Sequence, residues 1–262
     1  MTSGYCDLHN HTLPGVDDGA REMEDALQMA RIAVAGGAKT VLLTPHSADV
    51  AALVADGRLA RRVEALQQAV ANAGICLEFV LAMEKRLTPE LPADARQGVA
   101  LPINGTGKGT RYILVEFPYD GPLPLYADAT LFALQLQGLT PVIAHPERCE
   151  ALMLEPDRLD AYARRGILAQ VTAASFLGVF GKNHQKAAET FLRRRLAQVI
   201  ASDAHNWRGP RTPVLADGVA AAARIVGSAR AEEMAAAVPA ALLRGEASSP
   251  DPAPQKPGKF KR

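Results

Sequence analysis

Compact apolar runs and longer amphipathic stretches take turns along this chain. Residues 5–8, 39–44, 75–83, 112–117, 141–144, 167–171 and 198–201 are short runs with few polar interruptions, of the length and composition of strands buried on both faces. Between them apolar positions recur at helical spacing. Residues 22–35 place Met23, Leu27, Ala30 and Val34 on one stripe, with Glu22, Glu24 and Asp25 in the first turn and Gly36-Gly37 at the end. Acids suit the positive end of a helix, and glycine suits its stop. Further helices are predicted over 56–73, 123–137, 157–165, 183–195 and 213–243, the last broken at Gly227 and Pro239.

Alternation of this kind implies an α/β fold of parallel strands joined by crossover helices. Seven or eight such units suggest a barrel, closed or distorted, of roughly 200–250 residues. The expected organisation is one domain over residues 1–247. A proline-rich tail with a basic end occupies 248–262 and reads as disordered.

Composition narrows the function classes. The 262 residues carry a formal net charge of +1, so no bulk electrostatic case exists for nucleic acid or an anionic membrane. The 48% apolar fraction supplies a core, while no run approaches the ~20 apolar residues that span a bilayer. Asp7, His9 and His11 interrupt any apolar leader, so no signal peptide is expected. Three well-separated cysteines fit a reducing compartment, and the cytoplasm is the expected location.

The chemistry lies in the residues just past each apolar run. His9 and His11 close the first; residues two apart on a strand share a face, so the two imidazoles project together. His46 comes after the second run, Glu84 after the third, and Glu116 ends the fourth. His145 comes after the fifth, and Asp203 and His205 after the last, repeating the two-residue spacing. Asp18 lies in the turn Val16-Asp17-Asp18-Gly19 and is placed to reach the same mouth. Each residue has a bland account by itself, as a surface carboxylate, a turn residue or a satisfied loop histidine. Together, so many ionisable groups at strand ends would be costly to bury without a cation. Imidazole and carboxylate without cysteine suit Zn, Mn or Fe. Eight or nine ligands exceed one ion's needs, which implies two or three ions bridged by a Glu. Closely spaced metals clamp phosphate and activate water, and arginine takes the remaining phosphate oxygens. Arg148, three residues after His145, is the first candidate; Arg208 and Arg211 come soon after His205.

These motifs resemble the PHP (polymerase and histidinol phosphatase) superfamily. More closely they are similar to the bacterial manganese-dependent protein-tyrosine phosphatases of capsular and exopolysaccharide operons, the CpsB type. The likeness runs from Asp7 to Arg211. It rests on Asp7-Leu8-His9-Asn10-His11 with Leu13-Pro14-Gly15-Val16-Asp17-Asp18-Gly19 behind it, then Thr44-Pro45-His46, Val115-Glu116-Phe117-Pro118, His145-Pro146-Glu147-Arg148 and Ser202-Asp203-Ala204-His205-Asn206. The resemblance implies a distorted (β/α)7 TIM-like barrel holding three metal ions, usually Mn2+. It implies His9, His11, Asp18, His46, Glu84, Glu116, His145, Asp203 and His205 as ligands, with Glu84 bridging. Arg148 and Arg211 match arginines that face the phosphate, with Arg208 the alternative to Arg211. The implied substrate is a phosphotyrosyl protein, a cognate bacterial tyrosine kinase.

Two further readings compete. One keeps the site and changes the substrate to a small phosphomonoester such as histidinol phosphate or a nucleotide; the long Leu13–Gly19 motif speaks against it. The other is a metal-stabilised regulator without turnover, expected only if ligands had been lost. A cysteine-phosphatase mechanism is excluded, because it needs Arg six residues after Cys, and Cys6, Cys76 and Cys149 have Thr12, Ala82 and Glu155 there. The stretch 105–110 (GTGKGT) lacks the earlier glycine of a phosphate loop and reads as a plain loop. His184, at a predicted helix start, has no assigned role.

Overall fold

The computed structural model describes residues 4–46, 50, 53–54, 57–103 and 111–252. Eight strands are seen among them: β1 (Tyr5–Asn10), β2 (Ala38–Leu43), β3 (Glu78–Leu81), β4 (Glu84–Arg86), β5 (Arg111–Glu116), β6 (Leu139–Ala144), β7 (Leu168–Thr172) and β8 (Val199–Ala201). All pair in parallel, in a three-stranded sheet ordered β1-β2-β3 and a five-stranded sheet ordered β4 to β8. Most strands pack one face against helices and the other into the shared core, which is why most of the sequence runs are apolar rather than alternating.

The expected α/β order with parallel strands is present. Among the described residues the hydrogen-bonded sheets do not close into one ring. They are stitched at both junctions by single parallel bridges, Asn10 to Ala204 and His46 to Glu84. At the first, Asp203 N donates to His9 O and His11 N to Ala204 O, each at 2.8 Å. Inward residues of both sheets, including Cys6, Leu8, Leu42, Leu114, Val142, Leu168 and Val199, form one buried cluster. Their outward neighbours Ile113, Val115, Ile143, Ala169 and Ile200 pack against helices in a second.

The apolar run 75–83 behaves differently from the single strand expected. Only Glu78–Leu81 pairs with β2; the chain then crosses to the other sheet as β4, with Glu84 its first residue. The helices are α1 (Met23–Ala35), α2 (Arg58–Asn72), α3 (Leu91–Arg96), α4 (Ala127–Leu136), α5 (Glu150–Leu154), α6 (Pro156–Arg164), α7 (Ala173–Phe176), α8 (Lys182–Arg193), α9 (Leu215–Val226), α10 (Ser228–Ala235) and α11 (Ala237–Leu243). In α1 the buried stripe is Ala26, Met29, Ala30 and Ala33, one step around from the predicted one, with Met23, Leu27 and Val34 at its edge. The stretch 213–243 breaks at Gly227 as expected. Its second break falls at Ala236, not Pro239, because Pro239 sits in the first turn of α11, where no backbone donor is required.

No helix among the described residues is long and apolar enough to cross a membrane. Of the tail, Ser248 N donates to Tyr112 Oη at 3.0 Å and Asp251 pairs with Arg195 at 3.2 Å. Residues 253–262, the start of the predicted 56–73 helix at Asp56, and the loop 105–110 lie outside the described residues.

Candidate metal centre

All nine candidate ligands converge at the C-terminal ends of the strands. The groupings are His11, Asp18, His46 and His205; His9, His11 and Glu84; and Glu84, Glu116 and His145. Glu84 and His11 each belong to two groups. Glu84 Oε2 lies 3.3 Å from His9 Nε2, 3.5 Å from His11 Nε2 and 3.1 Å from His46 Nδ1, while its Oε1 lies 2.9 Å from His145 Nε2. Asp203 Oδ1 lies 3.4–3.6 Å from nitrogens of His9, His11 and His205. Glu116 is further out, 3.9 Å from His145 Nε2. His9, His11, Glu84, His145, Asp203 and His205 are buried; Asp18 stands exposed at the mouth.

A second layer fixes which ring nitrogens face inward. His9 Nδ1 donates to Gln170 Oε1 at 2.9 Å, His11 Nδ1 to Asp17 Oδ2 at 2.7 Å, and His205 Nδ1 to the Asp203 carbonyl at 3.0 Å. With Nδ1 committed as donor, each Nε2 is the nitrogen that can give up its proton and turn a lone pair toward a cation at the centre. His9 Nε2 and His11 Nε2 are 3.1 Å apart, with carboxylate oxygens of Glu84 and Asp203 beside both. Among the described residues, Glu84 Oε2 and His205 Nε2 are buried without a hydrogen-bond partner, although Asp18 Oδ1 lies 3.2 Å from His205 Nε2. Lone pairs facing one another in a buried pocket require positive charge between them, so the donor set fits divalent cations.

The electrostatics say the same. Burial pulls His9 down, yet Glu84 and Asp203 outweigh it and lift it to about 10. His46 likewise, against its burial, is lifted to about 9, chiefly by Glu84. His205 falls to about 4 through burial and the neighbouring His11. Against their own desolvation, Glu84 and Asp203 are held well below the usual carboxylate range by the surrounding histidines, and Asp203 by Arg211 too.

Backbone geometry carries part of the arrangement. His145 (φ 30°) and Asp203 (φ 50°) are in the left-handed region although neither is glycine, a conformation kept only where the surroundings over-determine it. Asp7 supplies one such anchor: its carboxylate accepts from Ser202 N at 2.8 Å and Asn10 Nδ2 at 3.1 Å, tying the histidine pair to the Asp203 loop. Glu147 supplies the other, accepting from Thr172 N at 2.7 Å and Ser175 Oγ at 2.8 Å. Gly19 allows the Leu13–Gly19 turn to fold onto His11, where a Cβ would collide with the His11 carbonyl oxygen.

Two arginines reach the cluster. Arg148 Nη1 is 2.6 Å from Asp203 Oδ2, with its guanidinium over the rings of Tyr119 (4.7 Å) and Phe180 (4.9 Å). Arg211 Nη2 is 3.2 Å from Asp203 Oδ1, and its Nη1 is 3.5 Å from Asp18. Arg208 instead stacks on Trp207. The pocket above the cluster, about 550 Å³, is lined by Asp18, His46, Glu84, Glu116, Arg148 and Arg211, with Lys85, Arg86, Thr88, Asp94 and Tyr119 around them. The sequence reading missed Asp17, Gln170 and Tyr119. A glutamine inside the buried run of β7 was the one available signal.

A parallel α/β scaffold with imidazoles and carboxylates gathered at its strand ends defines a metal-dependent hydrolase type of site. The chain matches the family model for capsular polysaccharide synthesis, CpsB/CapC, over residues 5–244, and it belongs to that family. It is 34% identical over 200 residues to the tyrosine-protein phosphatase YwqE of Bacillus subtilis, covering 76% of this chain and 77% of that protein. It is 27% identical over 242 residues to the tyrosine-protein phosphatase CpsB of Streptococcus pneumoniae, covering 87% and 93%. A crystal structure from work on YwqE and CpsB, described as unique metal-dependent tyrosine phosphatases, superposes with a TM-score of 0.83 at 30% identity, covering 96% of this chain and all of that one.

Proposed function

We propose that this protein is a metal-dependent protein-tyrosine phosphatase. The observation that carries the reading is the inward-facing set of ring nitrogens and carboxylates with Arg148 and Arg211 across the same pocket. The names of its relatives point to the same reaction.

His9, His11, Asp18, His46, Glu84, Glu116, His145, Asp203 and His205 would hold two or three ions, with Glu84 shared between neighbouring positions and Mn2+ the expected metal. Bound there, the ions would neutralise phosphate charge and lower the pKa of a water that attacks phosphorus. The chain's own groups do the rest. Arg148 and Arg211 present planar N–H donors to the phosphate oxygens. Asp203, paired with both, holds them over the cluster, and Tyr119 and Phe180 limit Arg148 to one plane. Asp17, Gln170 and the Asp203 carbonyl keep three imidazoles in the tautomer that ligates. The leaving tyrosinate, with an unperturbed pKa of ~10, needs little acid assistance and departs toward the open mouth beside Asp18.

Cysteine takes no part. Cys6 and Cys149 are buried, burial pushes the Cys6 thiol up to about 12, and none of the three cysteines lines the pocket. We read the two sheets and their bridges as a distorted barrel of the (β/α)7 type, and the substrate as a phosphotyrosyl bacterial kinase in the cytoplasm.

The test is hydrolysis of a phosphotyrosyl peptide by chelator-stripped protein, with and without Mn2+, beside histidinol phosphate. Activity on the peptide that returns only with metal is the expected result. Preferred hydrolysis of histidinol phosphate, or bound metal without hydrolysis of either, overturns the proposal.

A further inference from the structure

Beside the metal pocket lies a second cleft, of about 480 Å³, lined by Tyr119, Asp120, Arg148, Glu150, Met153, Phe180 and His184. Tyr119 and Arg148 belong to both pockets, so these two side chains, with Phe180 against the guanidinium, are the wall between them. The far side of that wall is built from the loop after β5, the helix α5 and the start of α8. It is preformed. Glu150 N donates to Tyr119 O at 2.7 Å and Gly121 N donates to Glu150 Oε2 at 3.1 Å, which pins the loop carrying Asp120 onto α5.

The fixed charges lining this cleft are one guanidinium, Arg148, and two carboxylates, Asp120 and Glu150, with the His184 imidazole beside them. The guanidinium of Arg148 is turned toward Asp203 and lies over the rings of Tyr119 and Phe180. Glu150 engages a neutral amide. Among the described residues Asp120 has neither a hydrogen bond nor an ion pair. What remains is a carboxylate-bearing rim over an apolar lining of Met153, Phe180 and the outer face of Tyr119. A side chain with a methylene stem and a cationic head satisfies both parts, the stem on the thioether and ring, the head at Asp120 and Glu150. The metal pocket carries both signs at its edge: Lys85 is paired with Asp94 at 3.0 Å and Arg86 with Glu116 at 3.8 Å, while Arg148 and Arg211 reach over the cluster. A phosphorylated residue fits beside Arg148 and Arg211 on one side of the wall, and a basic residue fits the Asp120 and Glu150 carboxylates on the other.

We propose that the cleft is a specificity subsite for a lysine or arginine that flanks the phosphotyrosine in the substrate chain. The assignment rests on the phosphatase reading above. An extended peptide advances roughly 3.3 Å per residue, so crossing one aromatic wall places the basic residue within about three positions of the phosphotyrosine.

The test compares kcat/KM of the Mn2+-loaded full chain on peptides that differ in one flanking residue. Lysine, alanine or glutamate is placed in turn at each of three positions on either side. At one position or more the lysine peptide should exceed the glutamate peptide by about tenfold, and the margin should shrink in 0.5 M salt as screening grows. Asp120→Asn should bring that ratio to within about twofold, and Asp120→Lys should invert it. Both changes fall at an exposed residue, and thermal unfolding with metal content verifies each variant. A ratio that Asp120→Asn and Asp120→Lys leave unaltered, or no lysine preference at any position, overturns the subsite while peptide hydrolysis itself stands. If no peptide is hydrolysed at all, the phosphatase reading fails first, and the subsite with it.

Discussion

Asp17 offers the sharpest test of the site's construction, because it touches two candidate ligands without belonging to any of the three donor groups. Its Oδ2 accepts from His11 Nδ1 at 2.7 Å and from His46 N at 3.2 Å, and its Oδ1 accepts from Gly19 N at 3.0 Å. Burial raises its pKa, but these bonds, led by the one from His11, more than reverse that and hold it below the usual carboxylate range. Asp17→Asn keeps the shape and removes the charge. One of the two oxygens becomes an NH2 that must face a donor, either the His11 ring N–H or a backbone N–H. A charge-assisted hydrogen bond is worth about 1.5–3 kcal/mol net. That range agrees with the ~10–100-fold loss of metal affinity typical when a ligand's orienting partner is removed, or about 1.4–2.7 kcal/mol.

The assay is calorimetric titration of chelator-stripped protein with Mn2+, in parallel with peptide hydrolysis as a function of free Mn2+. The variant's midpoint should lie ~10–100-fold higher in both, with most of the turnover returning at saturating metal. A midpoint within twofold of the parent's would refute the orienting role. Turnover lost at every Mn2+ concentration with an unmoved midpoint would refute it differently, by assigning Asp17 to the reaction rather than to the ligand.

The same geometry sets two other outcomes. With His9 raised to about 10 and His46 to about 9, both are protonated at neutral pH when no cation is bound, so Mn2+ uptake should release protons. Affinity then weakens as pH falls and the release fades above pH ~9–10; calorimetric heats that do not depend on the buffer's ionisation enthalpy would contradict this. Replacing Cys6, Cys76 and Cys149 together with alanine should leave turnover per bound metal within a few-fold, since no thiol lines the pocket. Loss of chemistry with metal content intact would reinstate a cysteine.

How much of the site is legible in the sequence depends on whether a residue acts through strand periodicity. His9 with His11, and Asp203 with His205, could be paired on paper because two-residue spacing in extended chain sends both side chains one way. His46, Glu84, Glu116 and His145 could be placed because each ends an apolar run, and parallel strands deliver their C-terminal ends to one side. Sheet closure cannot be read from those runs. The stretch 75–83 is apolar apart from Glu78, yet the chain leaves one sheet after Leu81 and joins the other at Glu84. No local preference marks that crossing, since both sides of it are buried.

The layer behind the ligands was hidden for a different reason. Asp17 and Asp18 are adjacent carboxylates in one turn, and nothing local distinguishes the one that orients His11 from the one that faces His46 and His205. Gln170 meets His9 across 161 residues, and Asp7 meets Ser202 across 195, distances over which no spacing rule operates. The left-handed backbone at His145 and Asp203 goes further: local preference argues against it, since neither position is glycine. Sequence rules are expected to fail where a fold spends stability on function. Here they fail at two of the nine candidate ligands, each braced by a buried acid, Glu147 for His145 and Asp7 for the Asp203 loop. Those braces touch neither pocket, so their burial is explained by the strain they hold in place rather than by contact with a substrate.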